Sequence, residues 1–190
     1  MGENALVKLD VITTRGGDGG ETSLGDGARV RKDAPRIEAI GAVDEANAAI
    51  GMLRLHTEGA DDALLARVQN GLFDLGADLC VPGQGGDARL RLGAGHVAAL
   101  DSATATINEG LPPLTSFVLP GGTPAAAAAH LARTVARRAE RAVVHLAAEE
   151  PVNPEVVRYL NRLSDLLFVL SRRLNGGGAG DVLWTPGSGA

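Results

Sequence analysis

Apolar residues recur every three to four positions through most of the chain after residue 35, which is the spacing of an amphipathic α-helix. Thr123-Pro124 and Asn153-Pro154 each place a capping residue directly before a proline, a combination typical of a helix start. The pattern predicts five helices, over residues 36–56, 61–81, 94–109, 124–149 and 154–175. Neither an internal repeat nor a convincing strand is visible. The sequence therefore predicts an all-α fold, a five-helix bundle.

A single domain over residues 1–190 is expected, with an N-terminal segment (1–35), the helical bundle (36–175) and a C-terminal tail (176–190) whose Trp184 docks onto the bundle. Hydrophobic residues make up 45% of the chain but aromatic residues only 3%, so the core must consist of Ala, Leu and Val. The last predicted helix is apolar almost all round and is expected to be central.

Charge and hydropathy exclude some classes of protein. The net charge of −5 argues against nucleic acid as a partner. The single cysteine excludes an internal disulfide. Because the sequence has neither an apolar run long enough to span a membrane nor a signal peptide, we expect a soluble, cytoplasmic protein without a membrane partner.

The N-terminal segment contains TTRGGDGGETSL (residues 13–24), which is rich in glycine and hydroxyl side chains. Glycines let a backbone turn sharply, so that successive N–H groups can surround phosphate oxygens. The segment is neither a Walker loop nor a dinucleotide-binding fingerprint, because the Gly-Lys-Ser/Thr ending and the βαβ context are missing. Lys32 adds a cation before the first helix. The alternative interpretation is a flexible tail.

The fourth predicted helix carries HLARTVARRAER (residues 130–141), with four arginines in nine residues. At about 100° per residue, Leu131 falls on the apolar face, whereas Arg133 and Arg137 fall on the opposite face. Arg141 lies beside them and Arg138 turns toward the apolar edge. Such a face is either a solvated surface or an anion-binding one. Arginine forks together with loop amides suit a polyphosphate.

Several other polar or aromatic residues stand where a bundle does not require them. Asp44 lies on the apolar face of the first helix and needs a cation, for which Arg133 of the same or of another subunit is a candidate; the alternative is a solvated edge. Asn161 and Asp165 share a polar stripe of the fifth helix, which a helix–helix contact would also explain. Phe117 lies in a proline-bounded loop, where it either caps the bundle or serves a ligand. No metal-ligand spacing is present, and no protein metal site is expected.

Six motifs occur in the order TRGGDGGETSL, RVRKD, AVDEANAAIG, FVLPGG, ARTVARRAER and NRLSDLLFVLSR. Together they resemble the ATP:cob(I)alamin adenosyltransferases of the propanediol-utilisation type, over roughly residues 8–184. Six motifs in order are far more specific than any one of them. Gly16 stands where the family usually has Thr, which removes one hydroxyl contact to phosphate. Thr13 stands where an aromatic residue is common.

The resemblance implies a ferritin-like five-helix bundle that assembles as a homotrimer, with ATP bound between neighbouring subunits. In one subunit the residues holding the triphosphate would be Thr14, Arg15, Gly16, Gly17, Thr22, Ser23 and Lys32. In the adjoining subunit they would be Arg137, Arg138, Ala139, Glu140, Arg141 and Asn161. Asp44 and Arg133 match a salt bridge between subunits, and Phe117 matches an aromatic residue that packs under the corrin ring. These last three form the implied catalytic set.

The implied activity is that of an ATP:corrinoid adenosyltransferase acting on cob(I)alamin or cob(I)yrinic acid a,c-diamide. The enzyme would transfer the 5′-deoxyadenosyl group of ATP to cobalt and release triphosphate, with Mg²⁺ carried on the phosphate oxygens. A corrinoid reductase and an adenosylcobalamin-dependent mutase are candidate partners. An ATP hydrolase or kinase, or a non-catalytic nucleotide-sensing trimer, is the alternative, because each would use the same phosphate-binding residues.

Overall fold

The computed structural model describes residues 12–83 and 90–189, so that residues 1–11 of the predicted N-terminal segment and residue 190 of the predicted tail lie outside it. Five helices make up most of the described chain: α1 Pro35–Arg54, α2 Gly59–Leu79, α3 Ala94–Glu109, α4 Pro124–Glu149 and α5 Pro154–Leu174. The predicted bundle is confirmed, and every helix begins and ends within two residues of its predicted bounds. No helix in the described ranges is both long and apolar enough to cross a membrane.

Two short strands lie in the N-terminal segment, so the prediction that the chain has no strand is wrong. β1 (Glu21–Ser23) and β2 (Arg29–Arg31) pair antiparallel, with Thr22 opposite Val30. Gly27, at a φ of 88°, turns the chain between them. Strands of three residues are too short to show the alternation of apolar and polar residues by which a strand is recognised in a sequence.

The hairpin formed by β1 and β2 is attached to the bundle through its turn. Leu24 is buried, and the N–H of Gly25 donates a 2.8 Å hydrogen bond to the carbonyl of Cys80, which directly follows α2. A Cβ at Gly25 would lie 2.9 Å from a methyl carbon of Val81, so glycine is needed for this close approach. The hairpin therefore stands at the end of the bundle where α1 begins and α2 ends.

α4 and α5 are the centre of the bundle. α1 packs against α2 and α4, and α5 packs against α4 and α3. α4 contributes mainly alanines, which let the helix axes approach closely, whereas α5 contributes leucines that fill the space between the helices. The fully buried residues of these two helices include Ala126, Ala129, Ala132, Ala136, Ala139, Leu160, Leu163, Leu166, Leu167 and Leu170. The predicted Ala- and Leu-rich core and the central position of the last helix are confirmed.

One residue assigned to the apolar face of α4 is not buried. Leu131 is 60% exposed, whereas its neighbour Ala132 is fully buried. The buried face of α4 is built mainly of alanines, against which α1 and α5 pack, and it continues through Val143 and Leu146. Leu131 lies about 100° away around the helix and therefore faces outward.

Asp78, near the end of α2, joins three segments and is 2% exposed. Its Oδ1 accepts a 2.6 Å hydrogen bond from Nη1 of Arg91, and its Oδ2 accepts from the N–H of Leu92 at 2.8 Å. The same Oδ2 accepts a 2.7 Å hydrogen bond from Nδ2 of Asn153, whose Oδ1 caps α5 at the N–H of Glu155. One carboxylate therefore fixes the end of α2, the segment before α3 and the start of α5.

We expect Asp78→Ala to lower the free energy of unfolding by about 2–4 kcal/mol, because it leaves the N–H of Leu92 buried without a partner and removes the carboxylate that pairs with Arg91. Urea unfolding followed by circular dichroism measures the loss. Asp101→Ala is the control, since Asp101 pairs with Arg162 at the surface and such pairs contribute less than about 1 kcal/mol. Equal losses in the two variants would contradict the role assigned to Asp78.

Candidate functional site

The glycine-rich segment forms a tight loop directly before β1. Arg15 has a φ of 58°, in the left-handed region that residues other than glycine rarely adopt. The N–H of Asp18 donates a 3.2 Å hydrogen bond to the carbonyl of Arg15, and the N–H of Gly20 donates a 3.1 Å hydrogen bond to that of Gly17. Among the described residues, the N–H groups of Gly16 and Gly17 have no partner. A strained turn with two neighbouring unpaired N–H groups is typical of an anion-binding loop.

Cations of the hairpin border this loop. A Cβ at Gly17 would lie 2.8 Å from Nζ of Lys32, so the ammonium group packs directly on this glycine. Nη2 of Arg29 donates a 2.9 Å hydrogen bond to the carbonyl of Gly16, and Nη1 donates a 3.3 Å hydrogen bond to Oγ of Ser23. Arg29 is not among the predicted site residues, although it is the residue that holds the loop on the hairpin. The signal in the sequence is the alternation of cations in RVRK.

The remaining predicted residues of the hairpin are not all on one side. Thr22 and Ser23 are consecutive in β1, so their side chains point to opposite faces of the hairpin. Ser23 contacts Arg29 and shares its face with the glycine loop, whereas Thr22 is half-buried on the other face. Thr14 is exposed within the loop. The structure therefore links Ser23 to the glycine loop through Arg29, and it places the side chain of Thr22 on the other face.

The arginine face of α4 is present as predicted. Arg137 and Arg141 are exposed one turn apart, and Nη1 of Arg141 donates a 3.2 Å hydrogen bond to the carbonyl of Arg137. Oε1 of Glu140 accepts a 3.0 Å hydrogen bond from Nδ2 of Asn161, so a contact between α4 and α5 explains the polar position of Asn161. Ala139 is fully buried and belongs to the core.

Arg138 is directed away from this face. Its guanidinium pairs with the carboxylate of Glu45 on α1, as expected for a side chain at the apolar edge of α4. The hydrogen bond between the two groups raises the pKa of Arg138 and lowers the pKa of Glu45. Both side chains are substantially exposed, so the pair links two helices without adding much stability. In a single chain Arg138 is therefore separated from Arg137 and Arg141.

Phe117 lies in the loop between α3 and α4 and is 77% exposed, so the interpretation that it caps the bundle is wrong. Its ring packs on that of Trp184 at a centroid distance of 6.1 Å, which confirms the predicted docking of the tail. Both rings border a cavity of about 630 Å³, whose wall also includes Phe168 and Arg133. The structure thus brings together Phe117 and Arg133, two of the three predicted catalytic residues.

Arg133 is a half-buried cation with no acidic partner among the described residues. Its Nε makes no hydrogen bond, and burial, together with the positive charge of Arg137, lowers its pKa. Asp44, its predicted partner, borders a different groove, of about 490 Å³, between α1 and α2, where it lies beside Ile37 and Phe73. Asp44 is exposed there. Within one chain the two charges do not meet.

The hairpin and the aromatic cavity lie at opposite ends of the bundle. At the hairpin end, Arg36 at the start of α1 donates a 2.6 Å hydrogen bond to Glu150, which directly follows α4. Phe117 lies near the opposite end, because its loop leads into the start of α4. Since α4 has 26 residues, it is about 39 Å long at 1.5 Å per residue. One chain therefore cannot bring its own glycine loop to its own Phe117.

The fold and the site define an all-α bundle with a hairpin that carries a glycine loop and cations at one end and an aromatic-lined cavity at the other. The family described as Cobalamin adenosyltransferase matches residues 12–174. A cobalamin adenosyltransferase of Cupriavidus metallidurans is 52% identical over 180 residues, which cover 93% of this chain and 95% of that protein. A corrinoid adenosyltransferase of Mycobacterium tuberculosis is 47% identical over 187 residues, which cover 95% of this chain and 96% of that protein.

A solved structure also shows similarity to a corrinoid adenosyltransferase. A variant of a PduO-type ATP:corrinoid adenosyltransferase from Lactobacillus reuteri, complexed with cobalamin and ATP, matches with a TM-score of 0.86 and 34% identity, over 92% of this chain and 99% of that chain. The chain belongs to the cobalamin adenosyltransferase family.

We expect Gly17→Ala to weaken ATP binding by about tenfold, because the added Cβ displaces the ammonium of Lys32 and one charged hydrogen bond is lost. The fold should be retained, since only the flexible end of a lysine has to move. Calorimetric titration with ATP measures the dissociation constant. Gly19→Ala is the matched control, because a Cβ there meets no atom within 4 Å. An unchanged ATP affinity in Gly17→Ala would remove Lys32 and Gly17 from the site.

Proposed function

We propose that this chain transfers the 5′-deoxyadenosyl group of ATP to the cobalt of cob(I)alamin and releases triphosphate. The observation that carries the proposal is the similarity, along 92% of the chain, to an ATP:corrinoid adenosyltransferase complexed with cobalamin and ATP. The glycine loop with Lys32, the exposed arginines of α4 and the cavity beside Phe117 provide the binding surfaces that these two substrates require.

The triphosphate is bound from two sides. From one chain, Thr14, Arg15, Gly16, Gly17, Ser23 and Lys32 provide backbone N–H groups, hydroxyls and cations, and Thr22 keeps Ser23 in place through its pairing with Val30 in the hairpin. From a neighbouring chain, Arg137, Arg141 and Asn161 complete the site. Arg138 holds this turn of α4 on α1 through its pair with Glu45, Glu140 orients Asn161 through the 3.0 Å hydrogen bond, and Ala139 places the turn against the core. Mg²⁺ that accompanies ATP is held on the phosphate oxygens. Such donors stabilise the charge that grows on the leaving triphosphate.

The shared site requires an oligomer, and the family resemblance makes it a homotrimer. Two features of the single chain support this assembly. The hairpin and the cavity of Phe117 lie at opposite ends of the bundle, and Arg133 is half-buried without an acidic partner among the described residues. Asp44 of a neighbouring chain supplies that partner, which brings the α1–α2 groove of one subunit against the cavity of the next. A head-to-tail contact of this kind forms a ring when its rotation closes, as it does in a trimer.

Phe117 controls the coordination of cobalt. An exposed phenyl ring below the corrin occupies the space that the lower nucleotide base or a water molecule would otherwise take. Without that axial ligand, cobalt no longer receives its electron donation, and Co(II) is easier to reduce to Co(I). The resulting Co(I) needs no protein base, because it is itself a strong nucleophile.

The transfer is a nucleophilic displacement at the ribose. Co(I) attacks C5′ of ATP, the Co–C5′ bond forms with two electrons from cobalt, and the C5′–O bond breaks with its electron pair passing to triphosphate. Cobalt is thereby oxidised to Co(III). The protein contributes alignment of the reacting atoms and stabilisation of the leaving group. Cytoplasmic location and contacts with a reductase or a mutase stay predictions.

The proposed reaction predicts its products. Anaerobic incubation of the protein with reduced cobalamin and ATP should give adenosylcobalamin and intact triphosphate in equal amounts, measured by visible absorbance and by ³¹P NMR. Formation of ADP and phosphate would instead indicate a hydrolase or kinase. Tight ATP binding without any product would indicate a nucleotide sensor, and either result would contradict the proposal.

The shared site predicts complementation between two inactive variants. Co-expression of Lys32→Ala and Arg137→Ala chains should restore activity, because about a quarter of randomly assembled sites combine an intact hairpin with an intact α4 from the next chain. Steady-state turnover of the purified mixture measures the rescue. Each variant expressed alone is the control that should show none, since every site then lacks either Lys32 or Arg137. Absence of rescue in the first mixture would contradict an ATP site shared between chains.

We expect Phe117→Ala to reduce turnover from Co(II)alamin far more than turnover from chemically prepared Co(I)alamin, because five-coordinate Co(II) is harder to reduce, whereas Co(I) prefers four coordination. ATP affinity should change little. A paired assay, with the EPR spectrum of bound Co(II)alamin in the presence of ATP, measures both effects. A four-coordinate signal and full turnover in the variant would show that Phe117 only contributes packing.

A further inference from the structure

A buried ion pair holds the chain directly after α5. Nε of Arg172 donates a 2.7 Å hydrogen bond to Oδ2 of Asp181, and the two side chains are 5% and 4% exposed. A turn containing Gly176, Gly177 and Gly178, at φ values of 70°, 65° and 89°, brings the two charges together. A fully desolvated pair of this kind has a demanding geometry and need not increase stability. Its role therefore depends on the segments of the chain that the pair connects.

The ion pair is connected to both ends of the loop that carries Phe117. Nη2 of Arg172 donates a 2.8 Å hydrogen bond to the carbonyl of Pro112, where the loop begins. Oδ1 of Asp181 accepts a 3.1 Å hydrogen bond from Nδ2 of Asn175, whose Oδ1 accepts one of 3.2 Å from the N–H of Thr123, where the loop ends. The loop is thus fixed at its start and its end by one network.

The segment after Asp181 also pairs with the backbone of the loop at Phe117 itself. The N–H of Trp184 donates a 2.7 Å hydrogen bond to the carbonyl of Phe117, and the N–H of Leu119 donates a 2.8 Å hydrogen bond to the carbonyl of Val182. Val118 and Leu183 form the bridge between them. The ring of Trp184 then lies against that of Phe117. Position and direction of the phenyl ring therefore depend on where Asp181 holds the segment.

We propose that Asp181, paired with Arg172, is a positioning residue for the reaction, because it fixes residues 182–184 and both ends of the loop, and thereby holds Phe117 below the corrin ring. This inference rests on the proposed role of Phe117. Phe117 is 77% exposed, so core packing does not hold its ring in place. A positioned aromatic ring in an exposed loop needs such fixed backbone contacts.

Asp181→Asn tests the inference, because it keeps the shape of the side chain and removes the charge that holds Arg172. The four-coordinate fraction of Co(II)alamin should fall, and turnover from Co(II) should fall about tenfold or more, as expected when a charged hydrogen bond is lost. Turnover from Co(I) and the dissociation constant of ATP should change much less. Asp181→Glu, which keeps the charge, should recover part of the four-coordinate signal.

Trp184→Ala is a second variant that keeps the test valid if Asp181→Asn unfolds, since Trp184 is 46% exposed and its loss leaves no buried charge. It should cause the same selective loss of four-coordinate Co(II) to a smaller degree. Asp62→Asn is the matched control, because it breaks a bidentate pair with Arg54 that joins α1 to α2 and shares no hydrogen bond with the Phe117 loop.

A double variant that combines Asp181→Asn with Phe117→Ala distinguishes the proposed role of Asp181 from the proposed role of Phe117. If Asp181 acts through Phe117, Asp181→Asn adds no further loss of the four-coordinate signal in the Phe117→Ala background. Should Phe117→Ala lose the signal while Asp181→Asn and Trp184→Ala keep it, only the present inference is overturned. Should Phe117→Ala itself keep it, the proposed role of Phe117 is overturned. Equal losses from Co(II) and Co(I), in parallel with a lower Tm, would show that Asp181 has only a structural role.

Discussion

The packing of α1 and α5 against the alanine stripe of α4 is the contact on which the rest of the structure depends. Because most of the buried positions in α4 are alanines, whose side chains project only one carbon, the neighbouring helices approach closely. The opposite face of α4 remains available for charged residues, and Arg137 and Arg141 occupy it. The length of α4, 26 residues, also sets the separation between the hairpin and Phe117.

Apolar packing orders the helices, but loops need directional contacts because their N–H groups and carbonyls have no partner in a helix. Two buried carboxylates provide these contacts, one at each end of the bundle. Asp78 fixes the segments around the end of α2, and Asp181 fixes the segments around the end of α5. Arg133 differs from both, since no acidic residue of the described chain meets it. The paired charges therefore belong to the fold of one chain, whereas the unpaired one is the charge that the proposed assembly would pair.

Much of the fold follows from sequence alone, and so does the prediction of part of the site. The helical period of apolar residues predicted the five helices, and the ends of each helix were predicted to within two residues. Thr123-Pro124 and Asn153-Pro154 helped because they are strong local signals of a helix start. The glycines of residues 16–20 indicated a phosphate-binding loop, because the freedom of glycine to turn is a local property. The order of six motifs indicated the family. Three-residue strands such as β1 left no periodic trace and were therefore missed.

Only the tertiary structure decided which side chains meet. Helical spacing placed Leu131 on the apolar face, yet close packing on the alanine stripe leaves it exposed. Helical spacing also could not show that Arg138 pairs with Glu45 or that Arg29 holds the glycine loop. Nor could it show that Arg172 and Asp181 fix the loop of Phe117. Sequence specifies the direction of a residue within its own element, since local dihedral preferences set the period. Contacts between elements depend on how the helices and loops pack together, and no local pattern contains that information.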